Sequence, residues 1–472
     1  MNHLLKLAAL GLCLSALLPL AAQLSEYDLN APFGWANCSS LSSGDSYTVT
    51  GGGNGSSVTL KSNGGDMKSA IADAIKKYSV VVLDGSAGDF TVSSIIELKN
   101  LQNKTIVGIN GARLCTQWYV TDEIRQLLDD NNVKSLSTSS GTGGTLSNGS
   151  SIDEARELKT RQLIIDYTGD SKESHRKAGI FYVSGCTNFV VRNLAFVGPG
   201  PVDVGGYDLF TCINKTTHLW VDHCSFSDGL DGNFDITNES DFVTVSWCLF
   251  EYTDRAYDHM NTNLVGSSDS RTADEDKLNI TFYANIWGTK CNARMPMARF
   301  GTIHLLNNYY NCPGAGNTVN PRKNSEFVIE SNYWAKGVTK IFSQSGAKAW
   351  VWKGDNHFAE NYTPSSQGSV SLPYAYQGFS AELVPEVLTA ANGAGPTLSD
   401  PLKTGREDAL TTPEAQSLHL TGKYVCGQGL IEIYSPTGIR VLRGTDRLSL
   451  ESLPAGCWIV RCGSDCLKLV QK

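Results

Sequence analysis

Apolar and polar positions alternate in short bursts along most of this chain. Val80-Val81-Val82-Leu83, Ile95-Ile96-Glu97-Leu98 and Lys104-Thr105-Ile106-Val107-Gly108 are runs of strand length closed by turn residues. Before them, Met67, Ile71, Ala74 and Ile75 fall at helical spacing, which predicts a short amphipathic helix over 67–78. Residues 128–160 break the pattern. Asp, Asn, Ser, Gly and Thr dominate there, around Ser139-Ser140-Gly141-Thr142-Gly143-Gly144. The stretch reads as an inserted loop, solvated or lying beside a cleft that it covers.

From residue 189 a repeat emerges. Aligning strand ends gives one column, Leu194, Cys224, Cys248, Asn285, Asn308, Asn332 and Asn356. Two residues after each member stands an aromatic: Phe196, Phe226, Phe250, Trp287, Tyr310, Trp334 and Phe358. A basic period of about 24 with insertions suits a solenoid whose turns are single coils of strand. Equivalent residues then stack about 4.8 Å apart, so asparagines can hydrogen-bond along the stack and aromatics can lie face to face. Two columns recurring together argue against chance. The predicted fold is all-β, a right-handed parallel β-helix. The ladder puts Cys224 and Cys248 on adjacent coils, as two small buried thiols in preference to a disulfide, because stacking alone does not fix bridge geometry. The insertions, between Phe196 and Cys224 and before Leu278, belong on one face, where solenoids build binding sites.

After Phe358 the repeat fades into loops and short strands through 368–396. The last sixty residues start anew: Leu430-Ile431-Glu432-Ile433-Tyr434, Ile439-Arg440-Val441-Leu442 and Cys457-Trp458-Ile459-Val460, separated by tight turns, predict a small C-terminal β-sandwich. Cys426, Cys457, Cys462 and Cys466 allow up to two bridges there. At the other end, a basic start, an apolar run from Leu7 to Leu20 and Ala21-Ala22-Gln23 form a secretory signal. The run is short of the ~20 residues a membrane span needs. The expected domains are therefore a signal peptide at 1–22, the β-helix at 23–403, a linker at 404–413 and the C-terminal module at 414–472.

Composition adjusts this picture only slightly. Hydrophobic content of 41% supports a sizeable core, and 46 glycines favour turn-rich β structure. A net charge of −8 makes nucleic acid an unsuitable partner. A polyanionic ligand would have to be drawn by local arginines or a bound cation, because the global field opposes it.

The chemistry concentrates between Asp208 and Gly301. Asp231 and Asp235 are four apart at the start of a coil, where strand geometry gives i and i+4 a shared face. Asp208 interrupts an apolar run about one coil earlier. Any one of them reads as a solvated turn aspartate; three on neighbouring coils suggest an oxygen-ligand site for calcium, completed by water and substrate. Arg294 and Arg299 flank Pro296 on coils next to these acids, and Arg322 lies one coil further along. Arginine is usually a surface or salt-bridge residue, but its planar fork also suits carboxylate recognition. Together the two sets fit chemistry on an acidic sugar.

Several stretches carry a family resemblance: Asn103 to Gly108, Val191-Arg192-Asn193-Leu194, Leu219-Trp220-Val221-Asp222-His223-Cys224, Asp241 to Ser246, and Arg294 to Gly301 followed by Asn307-Asn308-Tyr309-Tyr310. On them, residues 47–335 resemble the pectate lyases of polysaccharide lyase family one. The resemblance implies the parallel β-helix and calcium held by Asp208, Asp231 and Asp235. It also implies Arg294 as the base that takes the C5 proton of a galacturonate, and Arg299 and Arg322 as grips on substrate carboxylates. The implied reaction is β-elimination on polygalacturonate, leaving 4,5-unsaturated ends. The assignment of Arg294 rests on the resemblance, since a guanidinium with a pKa above ~12 is ordinarily a poor base. Three departures stand out. The family lysine near the substrate has its nearest counterpart in Arg255, within a longer loop; Gly206 replaces an acid two residues before Asp208; and Ala284 replaces a histidine before the ladder Asn285.

The C-terminal Tyr434-Ser435-Pro436-Thr437-Gly438, Leu453 to Val460 and a Lys-Leu-Val ending resemble the sorting domain of the type IX secretion system of Bacteroidetes. That implies a secreted, extracellular or cell-surface protein; a carbohydrate-binding or spacer module is the alternative for this domain. The overall expectation is a monomeric, calcium-dependent pectate lyase with no membrane span. The alternatives are a metal-independent pectin lyase acting on methyl esters, a hydrolase on the same fold, and a non-catalytic pectin-binding protein.

Overall fold

The structure is a computed structural model of the chain. It describes residues 32–44, 46–402, 419–421, 424–435, 440–450, 453–454, 456–462 and 465–471. The expected signal peptide and linker lie outside these residues. The chain divides after Leu402 into two compact units.

The first unit is a right-handed parallel β-helix. Three parallel sheets of ten, nine and seven strands run its length, and each complete coil contributes one strand to each in turn, with coils at the ends of the stack incomplete. The strands are short because each coil must turn twice between sheets. The repeat register holds along the whole stack. Phe196 pairs across to Phe226, Phe226 to Phe250, Phe250 to Trp287, Trp287 to Tyr310, Tyr310 to Trp334 and Trp334 to Phe358. Their rings lie face to face, with centroids 4.6–5.9 Å apart. Beside them runs the asparagine ladder. The Asn308 Oδ1 accepts from both the backbone and side-chain N–H of Asn285 at 3.0 Å, and Asn332 and Asn356 repeat the motif on the next coils. Each buried amide is satisfied by its neighbour, so the polar column sits in the interior without an unpaired donor. Cys224 and Cys248 are free thiols, buried at the top of this column.

The helix expected over 67–78 is Lys68–Lys77, with Ile71, Ala74 and Ile75 buried. The stretch 128–160 departs from a plain loop. It belongs to a larger excursion from the solenoid holding helix Asp122–Asp130, a two-strand hairpin of Gly144–Thr145 with Ser151–Ile152, and helix Ala155–Thr168. The polar composition hid the helices because their buried positions are few: Ile124, Leu128 and Ile164 face Val202, Val204 and Leu230 of the coil beneath, and Ile165 packs on Leu146 and Ile152. Arg161, 4% exposed, pairs with Glu157 and Glu173, so charges read as solvated are fixed in the excursion's interior. Between 368 and 396 the structure has a 3-10 turn and the short helix Val384–Leu388, with no strand, where strands were expected.

In the second unit, strands His419–Thr421, Tyr424–Tyr434, Arg440–Ser449, Gly456–Cys462 and Asp465–Gln471 form one antiparallel sheet. Val425, Ile431, Ile433, Leu450, Leu453, Val460 and Leu469 supply its core. The sandwich expected here takes the form of a single hydrogen-bonded sheet among the described residues. None of the helices among those residues is long and apolar enough to cross a membrane.

Candidate active site

The seven-stranded sheet carries the chemistry. Its strands Phe210–Ile213, Phe234–Ile236, Leu264–Val265, Met297–Ala298 and Asn320–Pro321 are successive coils, with Thr211 beside Asp235 and Ala298 beside Pro321. Asp208 and Asp231 enter just before two of these strands, and Asp235 sits within one. The pairing brings Asp208 level with Gly232. A methyl group on Gly232 would meet the Asp208 Oδ1 at 2.9 Å and the Asp235 Oδ1 at 3.1 Å. Glycine is therefore what leaves room for two carboxylates to face one point.

Two of the acids accept a hydrogen bond and the third faces a histidine ring at ion-pair distance. Thr211 Oγ1 donates to Asp208 Oδ2 at 3.0 Å, the Leu264 N–H donates to Asp235 Oδ1 at 2.9 Å, and His259 Nε2 lies 2.9 Å from Asp231 Oδ1. Burial, then the neighbouring Asp235 and Asp231 charges, pushes the Asp208 carboxyl well above its ordinary range. Asp235 is pushed up to about 7 by burial, with Asp231 adding to it and Arg294 opposing. For Asp231, burial is outweighed by the His259 contact and charge, and its carboxyl falls below the usual value. Carboxylates this crowded repel one another. Among the described residues no three acids, histidines or cysteines converge closely enough to grip a metal ion as they stand. The donor set nevertheless fits calcium: three hard oxygen ligands, a glycine cradle between two of them, and a mutual repulsion that a divalent cation would relieve.

Arg294 follows Ala293, which pairs with Asn261 of the preceding coil. Its backbone φ is 60°, its carbonyl accepts from the Asn263 N–H at 2.7 Å, and Met295 N–H is tied to Thr318. The left-handed backbone recurs at the turns of other coils, as at His223, Trp247 and Phe300, so it marks Arg294 as a turn residue of the solenoid. Its guanidinium has no hydrogen bond or ion pair among the described residues, yet its positive charge acts on Asp208, Asp231 and Asp235. Arg299 and Arg322 occupy one position on adjacent coils. Arg299 is turned to the 266–279 insertion, bonding Asp269 at 2.5 Å and the Gly266 carbonyl at 2.9 Å. Among the described residues the Arg322 side chain hydrogen-bonds only the Met297 sulfur, at 3.7 Å, and its buried Nε has no partner.

Arg255 is not brought to this group. It donates to the Gly198 carbonyl at 3.0 Å and lies 4.6 Å over the Tyr119 ring. Asn261 pairs instead with Ala293, which leaves Thr262 as the coil neighbour of Arg294. Gly206 has a packing cause, since a Cβ there would meet Leu230 at 2.5 Å and the Arg176 carbonyl at 3.0 Å. Sequence reasoning missed Arg176 and His259. Arg176 comes from the polar excursion and adds positive charge at Asp231. His259 stands four residues after Arg255 in the same loop, and only folding turns it toward an acid 28 positions earlier.

A family profile described as pectate lyase matches residues 138–397. A probable pectate lyase B of Aspergillus flavus is 35% identical over 208 residues, 41% of this chain and 60% of that protein. A pectate trisaccharide-lyase of Thermotoga maritima is 35% identical over 138 residues, 28% of this chain and 36% of that one. Thus the chain spans about three fifths of the length of the Aspergillus relatives it matches. Among solved structures, pectate lyase II of Xanthomonas campestris superposes with a TM-score of 0.46 at 19% identity, over 78% of this chain and 99% of that one.

Proposed function

The chain belongs to the pectate lyase family, and from that membership we propose that it cleaves polygalacturonate by calcium-dependent β-elimination. The observation that carries the reading is Arg294, a guanidinium without a partner among the described residues, whose charge acts on three crowded carboxylates. Asp208, Asp231 and Asp235 would hold the cation. When bound, it would neutralise a galacturonate carboxylate and so acidify the adjacent C5–H.

The protein's own residues do the rest. Arg322, with no acid beside it among the described residues, offers its fork to a substrate carboxylate, and Arg299 does so by exchanging its Asp269 contact for the sugar acid. Arg294 takes the C5 proton; the electron pair of that C–H bond forms the C4–C5 double bond as the C4–O bond breaks. The departing oxygen collects a proton from solvent. Positive charge from the arginines stabilises the enolate-like charge that develops at the carboxylate. We assign no substrate contact to Arg255 on this geometry.

The test is ultraviolet absorbance of the unsaturated uronide formed from polygalacturonate, with calcium and with chelator, for wild type and Arg294→Ala. A rise that requires both calcium and Arg294 is expected. New reducing ends without absorbance would make the protein a hydrolase, and binding without reaction would make it a pectin-binding protein. For the second unit, the reading is a sorting module of the type IX route, placing the enzyme outside the cell as a monomer. A chain ending at Leu402 should then stay inside a Bacteroidetes host that exports the full chain.

A further inference from the structure

We propose that His259 is a positioning residue for Asp231, fixing the orientation in which that carboxylate meets the cation; the inference rests on the calcium reading above. The three acids are not held alike. Asp208 is braced by Thr211, three residues away on its own coil, and Asp235 by a backbone N–H of the next strand, both parts of the solenoid. Asp231 lies in a turn, with its side chain 34% exposed, and among the described residues the contact that holds it beyond Arg charges is the His259 ring. Without that ring its carboxylate is free to rotate toward solvent.

His259 is itself pinned. Its backbone is left-handed, at φ 56°, and its carbonyl accepts from the Asn261 N–H at 2.7 Å. On the far side of the ring, Nδ1 lies 3.8 Å from Asp203 Oδ1, and Asp203 is buried in the 198–209 insertion. The Asp203 N–H donates to Asp258 Oδ1 at 3.1 Å, and the other Asp258 oxygen faces Arg156 at 3.7 Å in the first turn of helix Ala155–Thr168. Charged groups therefore follow one another from the helical excursion through Arg156, Asp258, Asp203 and His259 to Asp231, with ion-pair separations of 3.7 Å at Arg156, 3.8 Å at Asp203 and 2.9 Å at Asp231. An imidazole between two carboxylates has its rotamer set from both sides, so it presents Nε2 to one Asp231 oxygen and leaves the other for a ligand. Outer contacts of this kind typically change metal affinity by about 10- to 100-fold.

The measurement is calcium binding to the full chain by titration calorimetry without substrate, alongside the melting temperature in chelator. His259→Leu removes the ring nitrogen at similar volume. His259→Gln can still reach Asp231 with an N–H, and His259→Asn keeps an amide too short to reach. We expect Leu and Asn to weaken calcium binding by about 10- to 100-fold, Gln to stay close to wild type, and the metal-free melting temperature to be common to all four proteins. If Leu fails to fold, the comparison of Gln with Asn decides. Equal calcium affinity in Asn and wild type, or equal loss in Gln and Asn, overturns the positioning role while leaving the lyase reading intact. A wild-type chain that binds no calcium overturns both.

Discussion

Arg322 and Arg255 carry the same charge and differ in what already occupies it. Among the described residues the Arg322 guanidinium is held only by the weak contact to the Met297 sulfur, so a substrate carboxylate displaces little to reach it. Arg255 would first have to leave Gly198 and Tyr119. A hydrogen bond to a charged group is worth about 1.5–3 kcal/mol. Arg322→Ala should therefore raise KM for polygalacturonate by about tenfold or more, whereas Arg255→Ala should leave KM near wild type and lower the melting temperature slightly. Steady-state kinetics on the two variants check both statements. The residue scale was only partly legible in the sequence. Asp208, Asp231, Asp235 and Arg294 interrupt an otherwise regular repeat, and that interruption is visible in one dimension. Arg255 lies in the right loop but points elsewhere, because side-chain direction in an insertion is set by its packing and not by the repeat.

At the scale of elements, each coil depends on its neighbours for its polar interior. Asn308→Ala would strip two donors of Asn285 and the Phe282 carbonyl of their partner at once. Buried groups left unpaired cost about 1–3 kcal/mol each, so a loss of several kcal/mol in urea melts is expected, with the β-helix spectrum retained until melting. The outer face of the ten-stranded sheet gives a pH prediction. His304 is fully buried with Nδ1 2.9 Å from the Tyr374 hydroxyl, and burial pulls its pKa down to about 3. Its neutral form is thus required by the fold. Below about 6.5 the unfolded chain takes up a proton here that the folded chain refuses, so this residue's contribution to stability is lost as pH falls toward 3. His304→Gln should therefore gain on wild type by about 1.4 kcal/mol per pH unit between 6.5 and 4, read from paired denaturation curves. The asparagine and aromatic columns were readable from spacing because stacking forces identical chemistry into register. The helices of the 117–180 excursion were not, because a helix that buries only a few positions against a foreign coil carries a weak period.

For the whole molecule, two facts about the first unit decide how it behaves alone. Its end is tied down: Leu398 N–H donates to Asn193 Oδ1 at 2.9 Å, and the Pro401 carbonyl accepts from the buried Arg192 at 3.3 Å. Its core runs unbroken from Met67 to Trp350. A chain ending at Leu402 is expected to keep the melting temperature of the β-helix and full activity on polygalacturonate, which calorimetry and the absorbance assay would show; loss of either would assign the second unit a structural share. The sequence by itself determined the solenoid, because a period of about 24 with two matched columns admits only coils stacked in register. It also determined which coils carry acids and arginines. What only the tertiary structure decided is how those groups are aimed: the glycine cradle at Gly232, Arg294 without a partner among the described residues, Arg322 against the Met297 sulfur, Arg255 on Gly198 and Tyr119, and His259 beside Asp231. Period fixes where a residue sits along the stack. Its direction off the stack depends on insertions packed from distant parts of the chain, and no local pattern records them.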